Sequence, residues 1–430
     1  MQRLTKIAKT LTIARMHFRR SLWILLLFAL LAAAFLIGRP VAPIPIRIGV
    51  LHSLTGTMAA NERPLVDALR LATEEINDAG GLLGRPLELV ETDGRSDERV
   101  FAAEAERLIV AEKVSVLFAC WTSACRKAVK PVVEKHQHLL FYPVQYEGLE
   151  QSPNIVYTGA APNQQIIPGA RWAMDTFGKR VYLVGSDYIF PRAANHLIRD
   201  LASAVGASIA AERYAPLGSS DWQAVSEEIK RLNPDFILNT INGESNAHFF
   251  RALHAAGLQT IPVLSFSIAE GELQTMRAES YHPKHYAVWG YFQSLPTPAN
   301  QRFVEEFKAR FGEERVTSDP IEASYNGLHL WANAVRELGR DEPRQINRAI
   351  GRQSVPGPSG VVAIDAATRH LWRWVRIGHA LPDGQFEPIQ TSAMTLRPTP
   401  FPAYRSRAEW QTLVEEVAAD PAALPAQGQP

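Results

Sequence analysis

Apolar and polar positions follow one recurring order along this chain: a short aliphatic run, a polar loop, then a stretch with apolar residues at helical spacing. Residues 46–51 form the first run and end in the Gly-containing loop His52-Ser-Leu-Thr-Gly-Thr57. Over residues 64–78 Leu65, Leu69, Ala72 and Ile76 fall on one helical face, and Gly80-Gly81 supplies a stop. The order repeats as strands at 87–90, 114–119 and 139–142, with helices at 99–113 and 124–135. Strands alternating with helices of this length predict right-handed βαβ units and a parallel sheet covered on both faces.

After the Pro- and Gln-containing stretch Gly159-Ala-Ala-Pro-Asn-Gln-Gln165 the pattern restarts. A helix at 171–177, a strand at 180–184, a helix reaching about residue 205, a strand at 235–240 and a helix at 247–256 describe a second sheet of the same kind. Around residues 287–292 the chain is expected to cross back, with helices near 301–311 and 321–338 returning to the first half. Beyond Leu381 the text turns Pro-rich, with one short helix at 407–417. The fold class expected is α/β: two Rossmann-like, doubly wound lobes joined by a three-segment hinge. The boundaries are 1–44 for a signal peptide or membrane anchor, 45–162 and 291–365 for the first lobe, 163–290 and 366–420 for the second lobe with the C-terminal segment, and 421–430 for a disordered tail.

The 430 residues suit two domains. Lys and Arg number 45 against 44 Asp and Glu, which gives no reason to expect nucleic acid as a partner. The charge is uneven, however. Arg3, Lys6, Lys9, Arg15, Arg19, Arg20 and Arg39 precede residue 45 with no acid among them, leaving 38 basic residues against 44 acids in the body. This basic start flanks residues 22–37, sixteen apolar positions in a row, which is an export signal. Its length lies between a cleaved signal core and a comfortable span, so a cleaved signal and a retained anchor both fit, and the body is expected outside the cytoplasmic membrane.

The loops at strand carboxyl ends carry the candidate chemistry. Phe118-Ala-Cys-Trp-Thr-Ser-Ala-Cys-Arg-Lys127 and Leu139-Leu-Phe-Tyr-Pro-Val-Gln-Tyr-Glu-Gly148 open from the first half, and Ser186-Asp-Tyr188 and Asn242-Gly-Glu244 from the second. In parallel sheets this edge forms the usual crevice for a small ligand. Ser123, at a helix start, can donate to a carbonyl oxygen in the favourable field of the helix N-terminus. Glu244 can accept N–H bonds, while Trp121, Tyr142 and Tyr188 make planar walls. Each residue also has a plain reading: Ser123 as a helix cap, Trp121 and Tyr142 as core aromatics, Glu244 as a solvated carboxylate. Their convergence on loops at strand ends is what core packing does not require. Cys120 and Cys125 read as two small half-buried residues at a strand-to-helix junction rather than a disulfide, and His282-Pro-Lys-His285 as a surface turn rather than a metal site. No phosphate loop, catalytic motif or cofactor fingerprint is present.

With these residues in view, the chain resembles the type I periplasmic substrate-binding proteins of the branch for urea and short-chain amides. The matching strings are His52-Ser-Leu-Thr-Gly-Thr-Met58, Glu75-Ile-Asn77 with Gly80-Gly81, Cys120-Trp-Thr-Ser123 with Arg126-Lys-Ala128, Phe141-Tyr-Pro-Val-Gln-Tyr-Glu-Gly148, Gly159 through Gln165, Gly185-Ser-Asp-Tyr188 and Asn239-Thr-Ile-Asn-Gly243. The resemblance runs from about residue 46 to 410. It implies a non-enzymatic protein without a cofactor, whose two lobes close on urea, formamide or acetamide and deliver it to an ABC permease. It places first-lobe contacts on Trp121, Thr122, Ser123 and Tyr142, and second-lobe contacts on Tyr188 and Glu244. The export segment and the Val-Gln-Tyr at 144–146 argue for the transport branch over the related cytoplasmic amide-sensing regulators. If residues 1–44 are retained, the membrane becomes a partner and a membrane-tethered sensor acting on a signalling partner is the alternative.

Overall fold

In this computed structural model, residues 21–28, 43–276 and 281–419 are described. The chain divides into two compact units, Met1–Ile44 and Pro45–Pro430. The second unit carries both sheets, and residues 21–28 of the first are helical. Among the described residues, no helix is long and apolar enough to cross a membrane. Most of the apolar run at 22–37 and the expected tail at 421–430 lie outside the described residues.

Ile46, Ile48 and Val50 of β1 (Ile46–His52) are fully buried, which places this strand inside a sheet rather than at its edge. The sheet has the order β2-β1-β3-β4-β5, with β2 at Leu87–Asp93, β3 at Val116–Ala119, β4 at Leu140–Tyr142 and β5 at Ile155–Tyr157, all parallel. One face is covered by α1 (Ala59–Asp78), whose Leu65 opens the predicted stripe together with Leu69, Ala72 and Ile76, all buried. The other face meets α2 (Glu98–Val110) and α3 (Ser123–Lys135); on the α1 side Phe118 stacks on Phe141 at 4.9 Å between neighbouring strands.

The second sheet has seven strands in the order β15-β14-β10-β9-β8-β6-β7. Its parallel part is β6 (Arg180–Ser186), β7 (Ser208–Ala215), β8 (Phe236–Thr240), β9 (Val263–Ser265) and β10 (His285–Trp289). Helix α4 (Ile166–Thr176) precedes them, and α5 (Ile189–Ala204), α6 (Gln223–Leu232), α7 (Ser245–Ala255) and α8 (Glu270–Thr275) run between them. The sheet is therefore mixed, because β14 (Arg376–Ala380) pairs antiparallel with β10 and β15 (Phe386–Thr391) antiparallel with β14. Residues 287–289, expected to start a crossing, instead finish the buried strand β10, and the chain leaves the sheet at Gly290.

Helices α9 (Pro298–Phe311) and α10 (Asp319–Leu338) return to pack with α1. A short α11 (Pro343–Ala349) precedes a three-stranded antiparallel sheet of β11 (Ser354–Gly357), β12 (Gly360–Ile364) and β13 (Leu371–Trp372), whose Leu371 is buried with the core of the first sheet. Helix α12 (Arg407–Ala419) closes the chain against α5. The polypeptide thus passes between the two sheets after β5, after β10 and between β13 and β14. At the first passage Gly159 sits so close to the Val144 carbonyl that no side chain would fit.

Candidate functional site

The end of β3 sets the site. Cys120 adopts φ +74, an uncommon value for a residue with a Cβ, and is joined to Cys125 in a disulfide. The expectation of two unpaired cysteines is corrected. Strand end and first helical turn bring the two Cα atoms to 5.6 Å, inside the range a bridge requires. The bridge encloses Trp121, Thr122, Ser123 and Ala124. Thr122, not Ser123, caps α3, its Oγ1 accepting from the Cys125 backbone N–H at 3.1 Å.

This leaves the Ser123 side chain free for a different partner. Its Oγ lies 2.6 Å from Glu147 Oε2 and accepts from Arg126 Nη1 at 3.0 Å. Arg126 donates through Nη2 to Glu147 Oε1 at 2.9 Å and through Nε to Glu150 Oε1 at 3.0 Å, with its guanidinium over the Tyr146 ring at 4.3 Å and the Tyr142 ring at 4.8 Å. Arg126 and Glu147 are without solvent exposure. Burial pushes the Glu150 carboxyl up, but Arg126 and then Lys127 outweigh it and bring its pKa down to about 2. Buried charge is tolerated here because every member of the network is paired. Glu147, Glu150 and Arg126 were not selected from the sequence as site residues; the only signal was the place of Arg126 and Glu147 inside the unusual strings at 120–128 and 141–148, and Glu150 lies just beyond them.

Tyr142 is fully buried at the end of β4 and donates its hydroxyl to the Trp121 carbonyl at 2.7 Å. Burial pushes its phenol well up from the ordinary value, so it remains a neutral donor. Tyr188, just before α5, comes from the second-sheet half. Its phenol is also pushed up, first by burial and then by the charges of Tyr142 and Glu147. The structure thus couples Ser123 to Glu147 and Tyr142 to the Trp121 carbonyl, while Tyr188 packs against Phe190 at 6.3 Å between ring centres.

Trp121 and Glu244 take a different position. Both line a cavity of about 490 Å³ between the two halves, together with Asn61, Pro64, Ser318 and Ile321 on one side and Gly243, Asn246, Glu272 and Met276 on the other. The Trp121 indole N–H points to Asn242 Oδ1 at 3.5 Å, at the long limit of a hydrogen bond. Glu244 precedes α7 and is exposed into this space. Glu272 was absent from the sequence reading. Its carboxyl accepts from Asn61 Nδ2 of α1 and from the Ala269 backbone N–H at 2.9 Å, which ties the two halves across the cavity, and burial raises its pKa. Arg315 is the only lysine or arginine on the cavity wall among the described residues, and Asp67 engages it at 2.6 Å.

The segment at 282–285 is not a surface turn. His282 and His285 are each only 1% exposed, because His285 begins β10 and its ring must enter the core. His282 Nε2 meets the Ile261 carbonyl at 2.7 Å and His285 Nε2 meets Ser265 Oγ at 2.9 Å. Burial lowers both pKa values, that of His282 to about 4, so both rings are neutral at physiological pH. Among the described residues no cluster of His, Cys, Asp or Glu could hold a metal ion.

The family described as a periplasmic binding protein domain matches residues 46–407. Leu/Ile/Val-binding protein homolog 6 of Brucella melitensis is 24% identical over 342 residues, covering 76% of this chain and 85% of that protein. Limonene hydroxylase of Geobacillus stearothermophilus is 34% identical, but over 121 residues that make up 28% of this chain and 22% of that protein. A solute binding protein of an ABC transporter from R. palustris, solved in complex with 4-hydroxybenzoate, superposes with a TM-score of 0.75 at 22% identity over 82% of this chain and 98% of that one. The match over residues 46–407 spans both sheets and all three passages between them, and this chain therefore belongs to the periplasmic binding protein family.

Proposed function

We propose that this protein is an extracytoplasmic solute-binding protein that captures urea or a short-chain amide between two closing lobes and hands it to an ABC permease, without catalysing a reaction. The lobes are those built on the two sheets, with boundaries near residues 162, 290 and 365. The observation that carries the neutral-ligand reading is the state of the cations. Arg126 is shared by Glu147 and Glu150, and Arg315 by Asp67, so no unpaired lysine or arginine faces the cavity among the described residues. A free lysine or arginine is the partner that would favour the carboxylate of an amino acid or an aromatic acid. An amide or urea brings only a carbonyl and N–H groups.

The reading draws its donors and acceptors from both lobes. Tyr142 and Tyr188 supply neutral hydroxyls, Ser123 and Glu147 a coupled hydroxyl and carboxylate, Trp121 a planar wall, and Glu244 an acceptor on the opposite side. Thr122 contributes by fixing the start of α3. The relative named for branched amino acids and the neighbour with 4-hydroxybenzoate bind larger, charged solutes in the same fold, and the cavity volume would also hold a ligand larger than urea. Small-angle scattering from the full-length protein tests the reading. Millimolar urea, formamide or acetamide should reduce the radius of gyration as the lobes close, and an unchanged profile with all three would rule it out.

A further inference from the structure

We infer that Asp319 and Arg373 form a clasp that holds the three interlobe passages together at one point and sets the resting angle between the lobes. Asp319 is the first residue of α10, in the first lobe, and has no exposure. Its Oδ2 accepts from the backbone N–H of Gly290 at 2.8 Å and of Tyr291 at 3.0 Å, the first two residues of the passage that follows β10. The same oxygen receives Arg373 Nη2 at 2.5 Å. Arg373 belongs to the passage between β13 and β14, and its Nη1 donates to the Thr158 carbonyl in the passage after β5. One carboxylate and one guanidinium therefore touch all three segments on which any lobe rotation must turn.

The surroundings make this arrangement stiff. A side chain at Gly290 would meet Arg373 Nε at 2.9 Å, Arg373 Nη2 at 3.0 Å and Asp319 Oδ2 at 3.1 Å, so the strand passes the pair with no spare room. Arg376, one turn of extended chain further on, donates to the Gly290 carbonyl and to the Ser359 carbonyl. Ser359 in turn donates to Glu322 Oε1 at 2.6 Å, and Glu322 lies 3.6 Å from Arg373. Two acids and two arginines are thus buried together, where the loss of one leaves its partner uncompensated. A planar guanidinium spans two acceptors at fixed geometry, which an ammonium cannot. Burying such a group in a passage that must bend is explained by control of the bend.

The inference builds on the two-lobe reading, but its test needs no ligand. Spin labels at Val110→Cys and Ala255→Cys, exposed positions at the ends of α2 and α7, report the interlobe distance by pulsed electron resonance in ligand-free full-length protein. Asp319→Asn and Arg373→Lys should each shift the mean distance or at least double the width of its distribution, while Glu337→Gln, which breaks an exposed ion pair with Arg352, should not. If Asp319→Asn does not fold, Arg373→Lys decides, because it keeps the charge and loses only the fork. Wild-type distance distributions in a folded clasp variant, even one with a lowered melting temperature, would overturn the inference and reduce the pair to a stability element.

Discussion

Ser123 Oγ sits 2.6 Å from Glu147 Oε2 while it accepts from Arg126, so the hydroxyl expected to meet a ligand carbonyl is already a member of a buried ionic network. Ser123→Ala removes one partner of a buried carboxylate. Unfolding in guanidinium chloride should show a loss of roughly 1–3 kcal/mol. On the proposed function, affinity for an amide falls as well, because Glu147 loses the group that orients it. A variant with unchanged stability and unchanged affinity would remove Ser123 from both roles.

Glu147→Ala should be costlier than Ser123→Ala. It leaves Arg126 buried with Glu150 as its remaining carboxylate, a change on the order of 3–5 kcal/mol. Equal losses for the two variants would mean that the guanidinium finds water or another acceptor when Glu147 is gone.

The disulfide between Cys120 and Cys125 closes a short loop, with a sequence separation of 5. Loop-closure arguments give such a bridge about 2 kcal/mol of stability. The double variant Cys120→Ala/Cys125→Ala should lose about that much stability in denaturant unfolding, and hydrogen exchange should quicken at residues 121–126 while the rest of the sheet is unaffected. An oxidised and a bridge-free protein with the same exchange at those residues would show that the Thr122 cap alone fixes the loop.

Glu270 gives a pH dependence of definite sign. Its side chain is buried, with Oε1 accepting from the Gln293 backbone N–H at 2.7 Å, and burial pushes its pKa up from 4.5 to about 8. A carboxyl raised in this way supports the fold fully below its unfolded value and loses that contribution as pH rises towards 8. Glu270→Gln should therefore flatten the fall in stability between about pH 4.5 and 8, which denaturation at a series of pH values measures. Parallel wild-type and variant curves would place the proton elsewhere.

Most of the first sheet was legible because its strands are continuous apolar runs between well-patterned helices, as with Leu65, Leu69, Ala72 and Ile76 on α1. The edges of the second sheet were not. β7 carries Glu212 and Arg213 in a half-buried edge, and β15 holds Pro388 and mostly exposed side chains, so neither shows the pattern of a buried strand. His282 and His285 were read as surface because polarity, not the strand that follows, was the local signal. In the candidate site, the residue types pointed to loops at strand ends, yet which hydroxyl caps α3 and which carboxylate faces Ser123 depend on long-range packing. Asp319 and Arg373 lie 54 positions apart, and nothing local links them.

The central claim, capture of a small neutral amide, is tested most directly by the melting temperature of the full-length protein in the presence of urea, formamide, acetamide, leucine and 4-hydroxybenzoate, each at millimolar concentration. A ligand at 100 times its Kd adds about 2.7 kcal/mol to the folded state. The account predicts stabilisation by one or more of the amides and none by the two carboxylates. Stabilisation by leucine or 4-hydroxybenzoate alone would contradict it, and would mean that the paired state of Arg126 and Arg315 does not exclude an anionic solute.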